Sequence, residues 1–410
     1  MMPDHRSPNL PLLSATVIGW LTSPTHRALA PSVAGWGPQD WEGARWAVQV
    51  HGIAPLLDCA TARWPDAAVL DPRLRQYLAD QRRLSGQRVA LLLRELAEVL
   101  QACHARNIAV MPLKGSLLAT TYYAESGLRP MSDLDLLVHP GDERRMLDLL
   151  AGLRYEPIAR GWKHIMLSRP EARGRVFAYD GEHPRNPRSL DLHVRVAEQF
   201  WGIRYDLTAE AWADSAPGEL LGSPTRLLRP ATLLHHLAIH ASSDMIARRL
   251  RLLQLHDIAL VAPAVDRAGW EGILSGAQAR GEERLVYPAL ALTQRYYSAV
   301  VPDDLLLALR AGVPSALLRQ LDANALDRYS FCNTAPTTPA EKLCWFRPGR
   351  ERAAALRHML LPDPAEMAHW YPYLSRPSLL PLAYARYGAT LIGWGIRRAL
   401  GKPRLKLNSR

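Results

Sequence analysis

Residues 108–139 read IAVMPLKGSLLATTYYAESGLRPMSDLDLLVH, and the fold turns on this stretch. Within the apolar run 108–112, the segment 108–110 is too short and too β-branched for a helix and reads as a strand. It leads into Lys114-Gly115-Ser116, after which the pattern predicts a helix over 115–124, a loop over 125–132 and a second strand over 134–138. Side chains two apart on a strand share a face. Asp133 and Asp135 therefore stand together, while Leu134, Leu136 and Val138 pack on the other side. Adjacent carboxylates repel unless a cation separates them. An all-oxygen pair suits Mg²⁺, which takes carboxylates together with phosphate oxygens and water. Taken alone, though, a D-x-D is more often two solvated aspartates at a strand edge.

A third element changes that balance. Ser189-Leu190-Asp191-Leu192-His193-Val194-Arg195-Val196 alternates with period two. Asp191, His193 and Arg195 fall on one face, and the four aliphatic residues on the other. An exposed Asp191–Arg195 ion pair would be worth little, whereas three carboxylates on neighbouring strands can hold two divalent cations. Gly115-Ser116, opening a helix, offers backbone N–H donors and a hydroxyl to a phosphate. Lys114 adds a point charge and Arg129 a planar fork. His193 is equally suited to touching an acceptor, orienting a carboxylate or bonding across the sheet.

The rest of the chain frames this core. Its 410 residues allow two or three domains, and an apolar fraction of 48% is that of a globular protein. Cys59, Cys103, Cys332 and Cys344 show no C-x-x-C spacing, which argues against a disulfide framework or a zinc site and fits a reducing cytoplasm. No signal peptide is legible, and arginines interrupt the longest apolar segment, 378–400, so a spanning helix is not expected. A net charge of +11 favours anionic partners. No nucleic-acid-binding motif stands out.

Residues 1–35 are expected as a loose arm, 36–107 as a helical region, 108–198 as the α/β core, 199–400 as a second helical region and 401–410 as a basic tail. In the first helical region, Asp40 is expected to cap a helix carrying Trp41, Ala44, Ala47, Val48 and His51, followed by a long helix over 72–106. Beyond Phe200 strand signals stop. Helical periodicity covers 232–240, 247–261, 269–279, 282–299, 340–360 and 380–400. The expected class is α+β, a small mixed sheet between helical flanks.

The chain resembles the bacterial uncharacterised nucleotidyltransferase family of the DNA polymerase β-like superfamily. The resemblance rests on Leu113-Lys114-Gly115, on Arg129-x-x-x-Asp133-x-Asp135-x-Leu137-Val138 and on Asp191-Leu192-His193. It extends more loosely to the helix around Trp41–Leu57 and to His240 and Asp257. It implies transfer of a nucleoside monophosphate from ATP or another NTP to a hydroxyl or phosphate acceptor (a sugar, a small molecule or a protein), releasing pyrophosphate. Asp133, Asp135 and Asp191 would match the ligands of two Mg²⁺ ions, with Mn²⁺ as a substitute. Gly115 and Ser116 would match the phosphate contact, although their distance from Asp133 exceeds the superfamily's minimal pattern. Lys114, Arg129, His193 and Arg195 complete the expected nucleotide-binding set.

Other features read more simply. His236 and His240 have the i, i+4 spacing of a metal pair but no glutamate placed as in H-E-x-x-H, so packing is the expected role. Asp257 beside His256 reads as a satisfied helix pair. The last helix, with Tyr384, Tyr387, Trp394, Arg397 and Arg398, is expected to pack on other helices, with peripheral membrane contact as the competing use. Two rival functions remain open: a catalytically silent nucleotide- or partner-binding protein, and a membrane-surface helper in polysaccharide assembly.

Overall fold

The computed structural model describes residues 9–22, 30–174, 181–200, 203–332, 338–371, 374 and 376–399. They form two compact units. The first draws on 1–197, 206–313 and 318–333, and the second on 198–205, 314–317 and 334–410.

The first unit is built on a five-stranded mixed sheet, β1 (Val110–Leu113), β2 (Asp133–Val138), β3 (Glu156–Arg160), β4 (His164–Ser168) and β5 (Ser189–His193), in the order β1-β2-β5-β4-β3. β1 runs antiparallel to β2, with Leu113 opposite Asp135. β2 and β5 run parallel, and their register sets Asp135 directly opposite Asp191. β4 is antiparallel to β5, pairing His164 with His193 and Met166 with Asp191. Leu134, Leu136, Leu190 and Leu192 are buried, as the alternation requires.

Helices α1 (Leu10–Thr22), α2 (Ala30–Val33), α3 (Pro38–His51), α4 (Ala54–Thr61) and α5 (Pro72–Ala105) precede the sheet. Asp71 caps α5 by accepting from the N–H groups of Arg73 and Leu74, with Pro72 in the first turn, where its missing N–H costs nothing. α5 buries Leu92, Leu96, Val99 and Leu100 and lies against β2. Within the core come α6 (Lys114–Thr121) and α7 (Glu143–Gly152). After it come β6 (Ala197–Phe200), β7 (Ile203–Asp206), α8 (Thr208–Ala213), β8 (Ser215–Leu220) and β9 (Ser223–Leu228). Then follow α9 (Pro230–Ala247), α10 (Leu252–Val261), α11 (Arg267–Arg280), α12 (Glu283–Tyr296), α13 (Asp303–Ala311) and α14 (Ser315–Ala323).

Several expectations need correction. The arm expected over 1–35 includes α1, which buries Leu13, Val17, Ile18 and Trp20. Asp40 is not the cap of α3: Gly37 is, and Asp40, three residues in, accepts from the Gly37 N–H. β1 starts at Val110 rather than Ile108. Strands also continue past Phe200. β8 and β9 form a hairpin whose two turn residues, Leu221 and Gly222, both have positive φ, the conformation a tight two-residue hairpin requires. Thr225 on β9 donates to the Val110 carbonyl at 2.7 Å, tying that hairpin to β1. The tail 401–410 lies outside the described residues.

The second unit contains α15 (Pro339–Leu343), α16 (Arg350–Leu360), α17 (Pro364–Trp370) and α18 (Leu380–Ala399), so the helix expected over 340–360 is two. Met367, Tyr371, Ala383 and Tyr387 form its core. Tyr387 donates to the Met359 carbonyl and Tyr384 to that of Pro362. The side chains of Trp394, Arg397 and Arg398 lie outside those described. Among the described residues no helix is long and apolar enough to cross a membrane.

Candidate active site

The parallel register of β2 and β5 brings Asp135 and Asp191 to neighbouring positions about 4.8 Å apart at the backbone. Asp133 stands two residues earlier on the same face. Asp135 and Asp191 are each only 7% exposed. Three carboxylates in so dry a place need positive charge, and the chain supplies part of it. The Lys114 ammonium lies 3.3 Å from Asp135 Oδ1, and His193 Nε2 lies 2.7 Å from the same oxygen. Lys114 takes up this position from a backbone with φ of 40°, a left-handed conformation unusual for a side chain of its size.

The three carboxylates titrate apart. Burial would raise Asp135, but Lys114 and the His193 hydrogen bond hold it well below the usual range. Burial, with the Asp135 charge beside it, raises Asp133. Asp191 is pushed up to about 7 by burial and then by Asp133 and Asp135. Its Oδ1 is buried without a hydrogen-bond partner. An orphaned carboxylate oxygen next to two further carboxylates is a donor set that fits a divalent cation. Burial lowers the His193 pKa against the pull of Asp135, and because a carboxylate oxygen accepts, Nε2–H is the donor to Asp135.

Two expected nucleotide contacts are placed differently. Arg129 is buried, and its fork is taken by Asp257 on α10, Nε to Oδ1 at 2.9 Å and Nη2 to Oδ2 at 2.7 Å, while Tyr123 donates to Asp257 Oδ1 at 2.7 Å. Arg129 lends charge to Asp133, with its Nε and Nη2 taken by Asp257 and its Nη1 beside Gly115. Arg195 lies beyond the end of β5, half-exposed and 3.4 Å from Asp206, because the strand stops at His193 and alternation no longer aims it at the site. Gly115 serves close packing: a Cβ there would meet Arg129 Nη1 at 2.9 Å. Ser116 is fully buried, and its hydroxyl turns back toward the Leu113 carbonyl at 3.5 Å, leaving only backbone N–H groups of α6 for an anion.

Sequence reasoning missed His164 and Lys163. His164 Nε2 is 3.4 Å from Asp191 Oδ2, and its ring centroid is 5.0 Å from that of His193. Lys163 adds positive charge to both Asp135 and Asp191. Their signal was the alternating run beginning at His164, once that strand is set beside Asp191-Leu192-His193. The α9 histidines belong elsewhere: His235 Nε2 is 3.3 Å from Glu282, and His236 is buried.

Residues 37–298 match the family model described as "Uncharacterised nucleotidyltransferase". The chain belongs to that family. Membership supports nucleotidyl transfer as the general chemistry and a nucleotide as a substrate. No curated protein matches the chain significantly. Among solved structures, the antibiotic-resistance factor ANT(2'')-Ia shares 14% identity over 51% of this chain and 100% of its own, with a TM-score of 0.34. An antigenic nucleotidyltransferase-like protein from Paracoccidioides brasiliensis shares 14% identity over 50% and 93%, with a TM-score of 0.27.

Proposed function

We propose that this protein is a metal-dependent nucleotidyltransferase that moves a nucleoside monophosphate from an NTP to a hydroxyl or phosphate acceptor. The observation that carries the reading is Asp191 Oδ1, buried without a partner and in register with Asp135. Asp133, Asp135 and Asp191 would hold two Mg²⁺ ions, which supply charge neutralisation on the triphosphate and acidify an acceptor hydroxyl.

The chain's own residues do the positioning. Lys114 sets a positive charge beside Asp135, where β- or γ-phosphate oxygens would lie. The N–H groups of Gly115 and Ser116 in the first turn of α6 would meet the same anion. His193 Nε2–H fixes the Asp135 carboxylate in one orientation. Asp191 is the carboxylate proposed to assist deprotonation of the acceptor hydroxyl. Alignment and charge neutralisation are most of what phosphoryl transfer asks of a protein. The four free thiols suit a cytoplasmic setting, where NTPs and Mg²⁺ are abundant.

The test is pyrophosphate release from each NTP with Mg²⁺ or Mn²⁺, together with calorimetric binding of the Mg²⁺–NTP complex. Wild type should bind and turn over at least one NTP, and Asp133→Ala and Asp135→Ala should do neither. Equal binding and equal background release in all three proteins would sink the proposal.

A further inference from the structure

His164 opens β4 directly opposite His193 on β5, and Asp191 precedes His193 by two residues on the same face. Three potential ligand side chains are thus gathered by strand pairing alone. One donor atom from each lies within 4.8 Å of the others. A first-row ion bonded to nitrogen and oxygen at about 2.0–2.2 Å keeps neighbouring donors roughly 3.0–3.5 Å apart. The gap from His164 Nε2 to Asp191 Oδ2, 3.4 Å, already has that span and is long for a hydrogen bond. One further atom points to a missing occupant. Asp191 Oδ1 is buried with no hydrogen-bond partner. His193, for its part, has one ring nitrogen held by the Asp135 carboxylate at 2.7 Å, the kind of support that orients a metal-binding imidazole.

We propose that His164, Asp191 and His193 form a mixed nitrogen–oxygen cation site that takes a divalent transition-metal ion (Mn²⁺, Co²⁺ or Zn²⁺) in preference to Mg²⁺. Magnesium favours oxygen donors, whereas imidazole nitrogen suits the later first-row ions. The site shares Asp191 with the carboxylate pair, so it deepens the transferase reading and rests on it for its catalytic meaning. Asp133 and Asp135 keep an all-oxygen position, and the two positions then differ in the ion they select.

The test titrates the full-length protein with Co²⁺, following visible d–d absorption and heat, and competes the bound ion with Mg²⁺. Wild type should bind Co²⁺ with an affinity at least about 10-fold above that of His164→Gln, and Mg²⁺ should displace it only at about 100-fold excess. Unchanged affinity in His164→Gln, or displacement by equimolar Mg²⁺, overturns the proposal. To keep the test independent of the variant's folding, Mn²⁺-loaded wild type is also read by electron spin echo. Modulation from directly bound ¹⁴N is expected, and its absence overturns the proposal. If Co²⁺ behaves as expected while no NTP is bound or turned over, the transferase reading fails and the cation site stands. If turnover depends on Asp133 and Asp135 but His164→Gln leaves Co²⁺ binding unchanged, the reverse holds.

Discussion

The first unit contains two buried charge clusters joined through Gly115, and they are built on opposite terms. In the first, Arg129, Asp257 and Tyr123 satisfy one another: both carboxylate oxygens accept from the guanidinium fork, and a phenol completes the set. In the second, Asp133, Asp135 and Asp191 share Lys114 and the imidazoles of His164 and His193, and one buried carboxylate oxygen is left over. A saturated cluster holds helix α10 to the core. An unsaturated one is a place for something else to bind. Burial alone does not separate the two; the count of satisfied atoms does.

The sharpest way to break this contrast is at Asp191. Asp191→Asn should lower pyrophosphate release on the order of 10⁴-fold, a barrier increase of roughly 5–6 kcal/mol. The same change removes one repelling charge, so metal-free thermal unfolding should shift upward; a fall in Tm would place Asp191 among the structural groups. Arg129→Met should do the opposite. It strands the Asp257 carboxylate and should cost about 3–5 kcal/mol in denaturant titration. Arg129→Lys should recover only part of that, because an ammonium cannot replace the fork. A loss below 1 kcal/mol would show the pair to be dispensable.

His51 sharpens the contrast from the structural side. Its Nδ1 accepts from the Leu252 N–H at 3.3 Å, so Nε2–H faces the Ser14 hydroxyl at 2.8 Å. Burial, then the Arg251 charge, lowers its pKa from 6.5 to about 3. Between those values the unfolded chain binds a proton that the folded one refuses. Stability attributable to His51 is therefore intact above pH 6.5 and lost as pH falls, by about 1.4 kcal/mol per pH unit. His51→Asn should flatten that slope in urea titrations between pH 6 and 4, and an unchanged slope would place the titration elsewhere.

Smaller effects test the seam between clusters. Gly115→Ala should push against the locked Arg129 guanidinium and cost about 1 kcal/mol, with transfer reduced more than stability. Arg195→Ala, removing an exposed pair with Asp206, should change stability by less than about 0.5 kcal/mol and leave nucleotide binding unaltered.

Much of the core was legible because period two is a strong signal: Asp133, Asp135, Asp191 and His193 follow from it. The rest was hidden for identifiable reasons. Arg129 looks like a free phosphate fork until a carboxylate 128 residues away occupies it, a pairing no local pattern encodes. Arg195 continues the alternation on paper, but the strand ends two residues earlier. β8 and β9 contain Pro217, Gly218 and Pro224, residues that read as turns, and a paired hairpin tolerates them. α1 is bordered by proline and serine, which obscured a strongly apolar helix.

Parallel pairing of β2 with β5 has a kinetic consequence. No tight turn can set their register, and the contact between Asp135 and His193 spans 58 residues of chain. A slip of one residue would turn Asp191 to the opposite face. Correct register must therefore wait until the intervening β3–β4 hairpin is in place, since long-range contacts form only after the loop between them has closed. During synthesis the nascent chain carries the paired aspartates well before it carries the residue that completes them, so cation affinity should appear late, as a single event coupled to closure of the sheet.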